Sequence, residues 1–159
     1  MTRTDIRIFL NHPNVIAFLR AIRLGEGTSD EMGYYRIVGG QIFVDDSRHP
    51  NVRVWIPRYQ VWSTAAGAYQ IINRTWINLV RQYEFDDFTP ESQDEAAVAL
   101  IVGRGAIDDV ISGHLAEAIA KCAEEWASLP GSKAGQRTEK YADVEAEYRN
   151  HGGHVAGVA

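Results

Sequence analysis

Several features are scarce or missing in this 159-residue sequence, and each absence excludes a class of protein. The one cysteine, Cys122, excludes an internal disulfide framework and a multi-cysteine zinc site. The longest apolar run, at residues 96–102, is far shorter than the roughly 20 residues that span a bilayer. The N-terminus lacks the apolar stretch of a secretory signal, so we expect the chain to stay in a reducing cytosol.

A segment rich in Lys and Arg is also missing, and the net charge is −5. Both observations argue against general nucleic-acid binding, which depends on neutralising phosphates. The charge is uneven, however: residues 1–62 carry +2 and residues 63–159 carry −7. The basic bias of the first part leaves room for an anionic partner.

The composition that remains is typical of a globular protein, with 45% hydrophobic and 23% charged residues. A chain of this length is expected to expose roughly 8,000 Å² when folded, against about 26,000 Å² when unfolded. Because the sequence contains no internal repeat or linker, we expect one domain over 1–159, monomeric, with a loose tail over about 150–159.

Helical periodicity covers most of the chain. Apolar residues predict a helix over 14–24, with Asn11 as a possible N-cap and Gly25 and Gly27 at its end. An apolar stripe predicts another helix over 72–83, and Thr89-Pro90-Glu91 marks the start of the next one. Three more are predicted: a short one over 107–111, one over 115–126, and one that starts at Thr138.

A strand-like pattern occurs once before these helices. Residues 36–38 and 41–43 flank Gly39-Gly40, a pair that favours a tight hairpin. Residues 44–66 are predicted to be irregular, and their aromatic side chains suggest a surface that holds a flat ligand. The expected fold class is α+β, mostly helical, with one small antiparallel sheet in the first third.

Glu26 is the strongest candidate for chemistry. It lies where a helix is predicted to end, and the helix dipole disfavours a carboxylate there. This field, together with partial burial, is expected to raise the pKa of Glu26, as a general acid requires. A solvated loop glutamate is the alternative interpretation.

Ser63–Gln70 is a second candidate segment, rich in small residues. Small residues let a ligand approach the backbone, while Tyr69 and Gln70 offer a ring, a hydroxyl and an amide. A sugar needs this combination, although a packed turn before a helix is the simpler interpretation of the pattern alone.

An ordered series of short motifs resembles the phage endolysin family typified by bacteriophage lambda. Each motif is weak, but the set keeps one order over about residues 15–153, which makes it specific. The motifs are Gly25-Glu26-Gly27-Thr28, Ile37-Val38-Gly39-Gly40 with Phe43, Asp45 and His49-Pro50, Ser63-Thr64 with Gly67 and Tyr69-Gln70, Thr89 to Asp94, Arg104-Gly105-Ala106, and Trp126 to Gly131 followed by Gly135-Gln136.

The resemblance implies a lysozyme-like fold and a peptidoglycan lytic transglycosylase. Such an enzyme cuts the β-1,4 bond between N-acetylmuramic acid and N-acetylglucosamine, and the muramic C6 hydroxyl attacks C1 to leave a 1,6-anhydro end. By the same resemblance Glu26 is the catalytic acid. The implied substrate-binding residues are Thr28, Asp45, Ser63, Thr64, Gly67, Tyr69 and Gln70.

The resemblance also implies partners and location. The expected partner is the peptidoglycan glycan strand, with no nucleic acid, no stable membrane association and no metal or other cofactor. The chain is expected to accumulate in the host bacterial cytoplasm and to act on the wall after another protein permeabilises the membrane.

Two other functions stay open at this point. A water-using muramidase needs a second carboxylate, for which Asp45 or Asp46 are candidates, although we favour a structural or sugar-binding role for Asp45. The other is a non-catalytic wall-binding module.

The sequence departs from the family pattern at two positions that are candidates for the border of the cleft. Tyr35 replaces an aspartate and Ala134 replaces a tyrosine. These replacements leave subsite preference and loop closure open.

The remaining candidates have simpler interpretations. Cys122, Trp76 and Trp126 are predicted to be core residues by their helical spacing, whereas Trp55 and Trp62 are candidates for the rim of a cleft. The histidines, among which His49 is predicted to form loop hydrogen bonds, are not expected to bind metal: His12, His49, His114, His151 and His154.

Overall fold

A computed structural model describes residues 1–131 and 139–157. Over these residues the structure is mostly α-helical, with one small two-stranded antiparallel sheet and a single 3-10 turn at Gly33–Tyr35. The elements are α1 (Arg3–Phe9), α2 (Pro13–Glu26), β1 (Val54–Ile56), β2 (Val61–Ser63), α3 (Asn73–Tyr83), α4 (Pro90–Gly103), α5 (Ile107–Ile111), α6 (Leu115–Cys122) and α7 (Tyr141–Asn150).

The α+β fold class is confirmed, but the strands lie elsewhere than predicted. Residues 54–63, predicted to be irregular, form the sheet, in which Trp55 pairs with Trp62. The predicted hairpin forms without becoming a regular pair of strands. Gly39 and Gly40 adopt φ angles of 91° and 106°, one bridge joins Arg36 to Ile42, and the N–H groups of Ile37 and Phe43 donate to the carbonyls of Gln41 and Tyr35. Its other edge pairs with a different part of the chain, since the Val38 N–H donates to the Ala65 carbonyl and Ile37 forms a bridge with Ala66.

The start and end of α2 both differ from the prediction. The N-cap is His12 rather than Asn11, and its Nδ1 accepts the Asn14 N–H at 3.1 Å. At the other end the helix continues to Glu26, and Gly27 then adopts φ 71°, a left-handed conformation that glycine tolerates. Glu26 is therefore the last helical residue.

The starts and ends of the other helices agree only in part with those predicted from capping residues. Thr89 caps α4 as predicted, its side chain accepting the Ser92 N–H. The unpredicted α1 starts with a capping box between Thr2 and Asp5. The helix predicted over 115–126 ends at Cys122, and the start predicted at Thr138 lies outside the described residues, which show α7 from Tyr141.

The core forms where α2 and α7 pack together. Val144 and Tyr148 of α7 are buried, and so are the predicted core residues Cys122, Trp76 and Trp126. Over the described ranges no helix is long and apolar enough to cross a membrane.

The tail was expected to be loose, but over residues 150–157 it is held by hydrogen bonds. The Tyr148 hydroxyl donates to the His154 carbonyl at 2.6 Å, and the His154 N–H donates to Asn14 Oδ1 at 2.9 Å. The Ala156 N–H donates to the Gly113 carbonyl. Polar groups elsewhere in the chain therefore bind the backbone of residues 154 and 156, which the glycine-rich sequence did not indicate.

Candidate active site

The carboxyl group of Glu26 lies at the wall of a cleft. The end of α2 places it there, and Gly25 lets the segment that follows α6 approach the helix closely. A Cβ atom at Gly25 would lie 2.5 Å from Ser128 Oγ. Ser128 Oγ in turn donates a hydrogen bond to Glu26 Oε1 at 3.2 Å.

The pKa of Glu26 is raised from 4.5 to about 7, mainly because surrounding protein removes water from the carboxyl group. The hydrogen bond from Ser128 acts in the opposite direction and lowers the pKa. This direction agrees with the prediction from the helix end. Near neutral pH the group is thus divided between a proton-donating and a proton-accepting form.

The cleft has a volume of about 340 Å³, within the range of ligand sites. Its walls come from α2, the turn at residues 38–40, both strands and the segment after α6, so elements distant in sequence meet there. The lining residues are Glu26, Val38, Ile56, Tyr59, Val61, Ser63, Ala65, Gln70, Ile72, Glu125, Trp126 and Ala127.

Of the residues predicted to bind substrate, Ser63 and Gln70 join Glu26 in this cleft. Gln70 is fixed in a left-handed conformation, with φ 49°, and its Nε2 donates to the carbonyls of Arg36 and Gly67 at 3.2 and 2.9 Å. Ser63 Oγ accepts the Ala65 N–H. Both side chains therefore have defined positions beside Glu26.

The structure does not bring three other predicted residues into the cleft lining. Thr28 is buried, and its hydroxyl donates to the Ala68 carbonyl, which ties the end of α2 to the 65–70 segment. Tyr69 is also buried, and its hydroxyl donates to Asp94 at 2.6 Å. Gly67 packs against the side chain of Gln93. Thr28 and Gly67 therefore act behind the cleft, whereas Tyr69 lines a small recess that shares Gln70, Ile72, Glu125 and Trp126 with the cleft.

Thr64 and Asp45 face other parts of the surface. Thr64 Oγ1 accepts the Asn73 N–H at 2.8 Å and lines a separate recess. Asp45 is exposed, and its carboxylate accepts hydrogen bonds from both the N–H and the hydroxyl of Ser47, which hold its pKa below the usual value. The structure thus places Asp45 outside the lining of this cleft, with its carboxylate bonded to Ser47.

Asp46 and Tyr35 bind each other instead of facing Glu26. The Tyr35 hydroxyl donates to Asp46 Oδ2 at 2.9 Å, and neither residue lines the cleft. The two aspartates proposed as a second catalytic carboxylate are therefore both absent from the described cleft walls. The other departure from the family pattern, Ala134, lies outside the described residues.

Sequence reasoning missed a second carboxylate in the cleft, Glu125. Its Oε2 accepts a hydrogen bond from Arg104 Nε at 2.8 Å, so the charge is paired. Glu125 belongs to no motif, and its sequence neighbours gave no sign that it would face Glu26. Ser128 was also missed, although it falls within the Trp126–Gly131 motif.

Trp55 and Trp62 lie on the opposite face of the hairpin from the cleft. Their rings pack edge to face with centroids 5.4 Å apart and remain 43% and 56% exposed. Because side chains alternate along a strand, Ile56 and Val61 line the cleft and the two tryptophans do not. Tyr59, at the turn of the hairpin, and Trp126, after α6, are the aromatic residues that line the cleft.

Metal-binding side chains are not clustered in the described part of the chain: no group of three or more His, Cys, Asp or Glu is close enough to hold an ion there. His49 is a loop hydrogen-bonder as predicted, with Nε2 2.7 Å from the Ile71 carbonyl and Nδ1 accepting the Asn51 N–H. The chemistry that the cleft offers is proton transfer by Glu26 beside a polar, partly aromatic groove.

Comparisons with known proteins point to one family. A family model described as Endolysin matches residues 16–155. The chain is 38% identical to the endolysin of Escherichia phage lambda, covering 87% of this chain and 91% of that protein. It is also 38% identical to the endolysin of Escherichia phage P2, covering 89% and 94%.

Solved structures give the same result. Bacteriophage lambda lysozyme complexed with a chitohexasaccharide matches with a TM-score of 0.84 and 36% identity, over 90% of this chain and 96% of that one. A second structure of lysozyme from bacteriophage lambda matches with a TM-score of 0.81 over the same shares.

Proposed function

The chain belongs to the endolysin family, and from that premise we propose that it is a lytic transglycosylase in which Glu26 serves as both acid and base. Lambda-type endolysins are peptidoglycan-cleaving enzymes of phage host lysis, and this coarser function holds for the chain as a member. The proposed bond is the β-1,4 linkage between N-acetylmuramic acid and N-acetylglucosamine. The observation that supports the proposal most is the raised pKa of a carboxyl group placed in a cleft.

The reaction divides into two proton transfers. Protonated Glu26 donates its proton to the glycosidic oxygen as the bond from that oxygen to C1 breaks. The carboxylate that results lies beside the positive charge that develops at C1, which stabilises the transition state. The muramic C6 hydroxyl then attacks C1 and gives its proton to Glu26, so the acid is regenerated and no water is added.

Substrate binding is proposed for the cleft residues that hold fixed positions. In this proposal Ser63 and Gln70 contact sugar hydroxyl and acetamido groups, and Tyr59 provides an apolar face for a ring. The complex of lambda lysozyme with a chitohexasaccharide supports the proposal that this chain also binds an N-acetylated glycan. Thr28, Gly67 and Tyr69 are proposed to position this segment.

The presence of Glu125 in the cleft is the one observation that favours the alternative function, a water-using muramidase. Hydrolytic glycosidases usually place two carboxylates across the bond, and Glu125 lines the same cleft as Glu26. Its pairing with Arg104 supports the single-carboxylate mechanism instead, because Glu125 Oε2 already accepts a hydrogen bond from Arg104 Nε and is not free to take a proton from water. The two mechanisms leave different products.

The decisive experiment combines product mass with two substitutions. We expect purified peptidoglycan to yield fragments lighter by one water than hydrolytic products, and Glu26→Gln to abolish their release. Glu125→Gln is expected to retain activity, as is the control Asp45→Asn. Reducing-end fragments whose release needs Glu125 would replace the proposal with the muramidase, and binding of peptidoglycan by the wild type with no fragment release would indicate a wall-binding module.

Where the protein accumulates in the host cell is a separate proposal, which does not follow from its membership of the family. We propose that the chain accumulates in the host bacterial cytoplasm and reaches the wall after the membrane is permeabilised. Cell fractionation before and after permeabilisation tests it, and recovery of the chain outside an intact membrane would contradict it.

A further inference from the structure

A basic groove lies on the far side of the cleft wall. It consists of two adjoining recesses, of about 650 and 530 Å³, that share Asn51, Asn73, Ile77 and Arg81. Arg48 lines the first recess and Arg74 the second. We call this surface the arginine groove.

The charge of the groove is unbalanced. Arg48, Arg74 and Arg81 are exposed, and within the described residues none of their guanidinium groups forms an ion pair within 4 Å or a side-chain hydrogen bond. Arg48 is close enough to Asp45 to help lower the pKa of that carboxyl group, while Asp45 lines neither recess. Neither recess is lined by an aspartate or glutamate. In a chain with a net charge of −5, such a concentration of unpaired guanidinium groups favours an anionic ligand.

The walls of the groove are well anchored. The buried His49 ring lies between the Ile71 carbonyl and the Asn51 N–H, and Thr64 Oγ1 holds the first residue of α3, Asn73. Trp76 and Ile77 supply an apolar floor beside the arginines. The groove therefore offers fixed amide and apolar surfaces together with three mobile cations, a combination that suits a peptide with carboxylates better than an isolated ion.

Only one layer of backbone separates the groove from the cleft. Ser63 lines the cleft while the next residue, Thr64, lines the groove, and Ile72 and Asn73 divide in the same way. A peptide attached to a sugar in the cleft would reach the groove by passing around the edge of this wall, and four extended residues span about 13 Å.

We propose that the arginine groove binds the carboxylate groups of peptidoglycan stem peptides, the short peptides attached to N-acetylmuramic acid. The inference rests on the proposed function, since the glycan in the cleft would present these peptides to the groove. Guanidinium groups hold carboxylates through paired hydrogen bonds, and the asparagine side chains can bind the peptide backbone. The groove thereby selects glycan strands that still carry their peptides.

The test compares Arg48→Gln/Arg81→Gln with Arg20→Gln/Arg149→Gln, a control pair with the same charge change and no place in either recess. Substrates are intact glycan strands and strands stripped of peptides by an amidase. We expect the groove pair to lower kcat/KM about tenfold on intact strands only, as for two solvent-exposed charge-assisted contacts. Equal losses on both substrates, or none, would overturn the proposal.

A binding measurement separates this inference from the proposed function. Stem tetrapeptide titrated into Glu26→Gln is expected to shift NMR signals of the groove, less so at high salt and after amidation of the peptide carboxylates. If wild type cleaves neither substrate, the proposed function fails while this titration still reports on the groove. Stronger perturbation by inorganic phosphate than by the peptide would assign the groove to a phosphate ligand and overturn the proposal.

Discussion

The carboxyl group of Glu26 connects proposed activity with stability at the scale of a single residue. Burial favours its protonated form in the folded protein, whereas the unfolded chain exposes it to water. Between pH 4.5 and about 7 the unfolded state loses its proton first. Stability therefore falls as pH rises through this window, and the whole penalty is present above pH 7.

Glu26→Gln is accordingly expected to be more stable than the wild type at pH 8. The pKa difference corresponds to up to about 3 kcal/mol, because the neutral amide avoids placing a charge in the cleft wall. Urea unfolding at pH 4 and pH 8 measures the effect, and the gap is expected to close at pH 4. A constant gap across this range would contradict the raised pKa.

The 65–70 segment shows how elements hold the candidate site. Gln93 of α4 accepts the Ala68 N–H at 2.9 Å and donates to the carbonyls of Tyr34 and Phe88. Gly67 lies directly over this amide with φ 82°, and a Cβ atom there would lie 2.3 Å from Gln93 Oε1. The segment therefore depends on a glycine for both conformation and space.

Gly67→Ala is expected to lower the free energy of unfolding by about 2–4 kcal/mol, from left-handed strain and overpacking together. Gly105→Ala is the matched control, because φ is 68° there and its Cβ would meet nothing within 4 Å. That control is expected to cost only about 1–2 kcal/mol. Similar losses for the two variants in urea unfolding would show that the contact with Gln93 adds nothing.

On the scale of the whole molecule, the cleft joins α2, the β1–β2 hairpin and the segment after α6. A ligand that contacts all three binds only the folded chain and so stabilises it. We expect a hexasaccharide of β-1,4-linked N-acetylglucosamine to raise the Tm of Glu26→Gln. At about 100 times its Kd the gain is about 2.7 kcal/mol.

Maltohexaose, which has α linkages and no acetamido groups, is the control in this thermal unfolding experiment. It is expected to leave the Tm unchanged. If the two sugars raised the Tm equally, the cleft would lack the selectivity that the proposed function requires.

The distribution of charge also belongs to this scale. The sequence placed a basic bias in residues 1–62, yet the arginine groove combines Arg48 from that part with Arg74 and Arg81 from the acidic remainder. A charge count along the chain averages over faces that the fold separates. It therefore indicated an anionic partner without locating the surface that would bind one.

Local chemistry in the sequence determined where several elements begin and end. Gly27 ends α2 beside Glu26, and Thr89 caps α4, because a cap depends on residues within one helical turn. The order of motifs also determined the fold class and the family. These features need no knowledge of which distant segments meet.

Only the tertiary structure decided which side chains share the cleft. Strand alternation and long-range hydrogen bonds place Ser63 toward Glu26 but Thr64 toward the groove, although the two are neighbours in the chain. The same packing brings Glu125 and Ser128 to Glu26 across about 100 positions of sequence. Local propensity cannot specify such contacts, because they depend on register and on packing between elements.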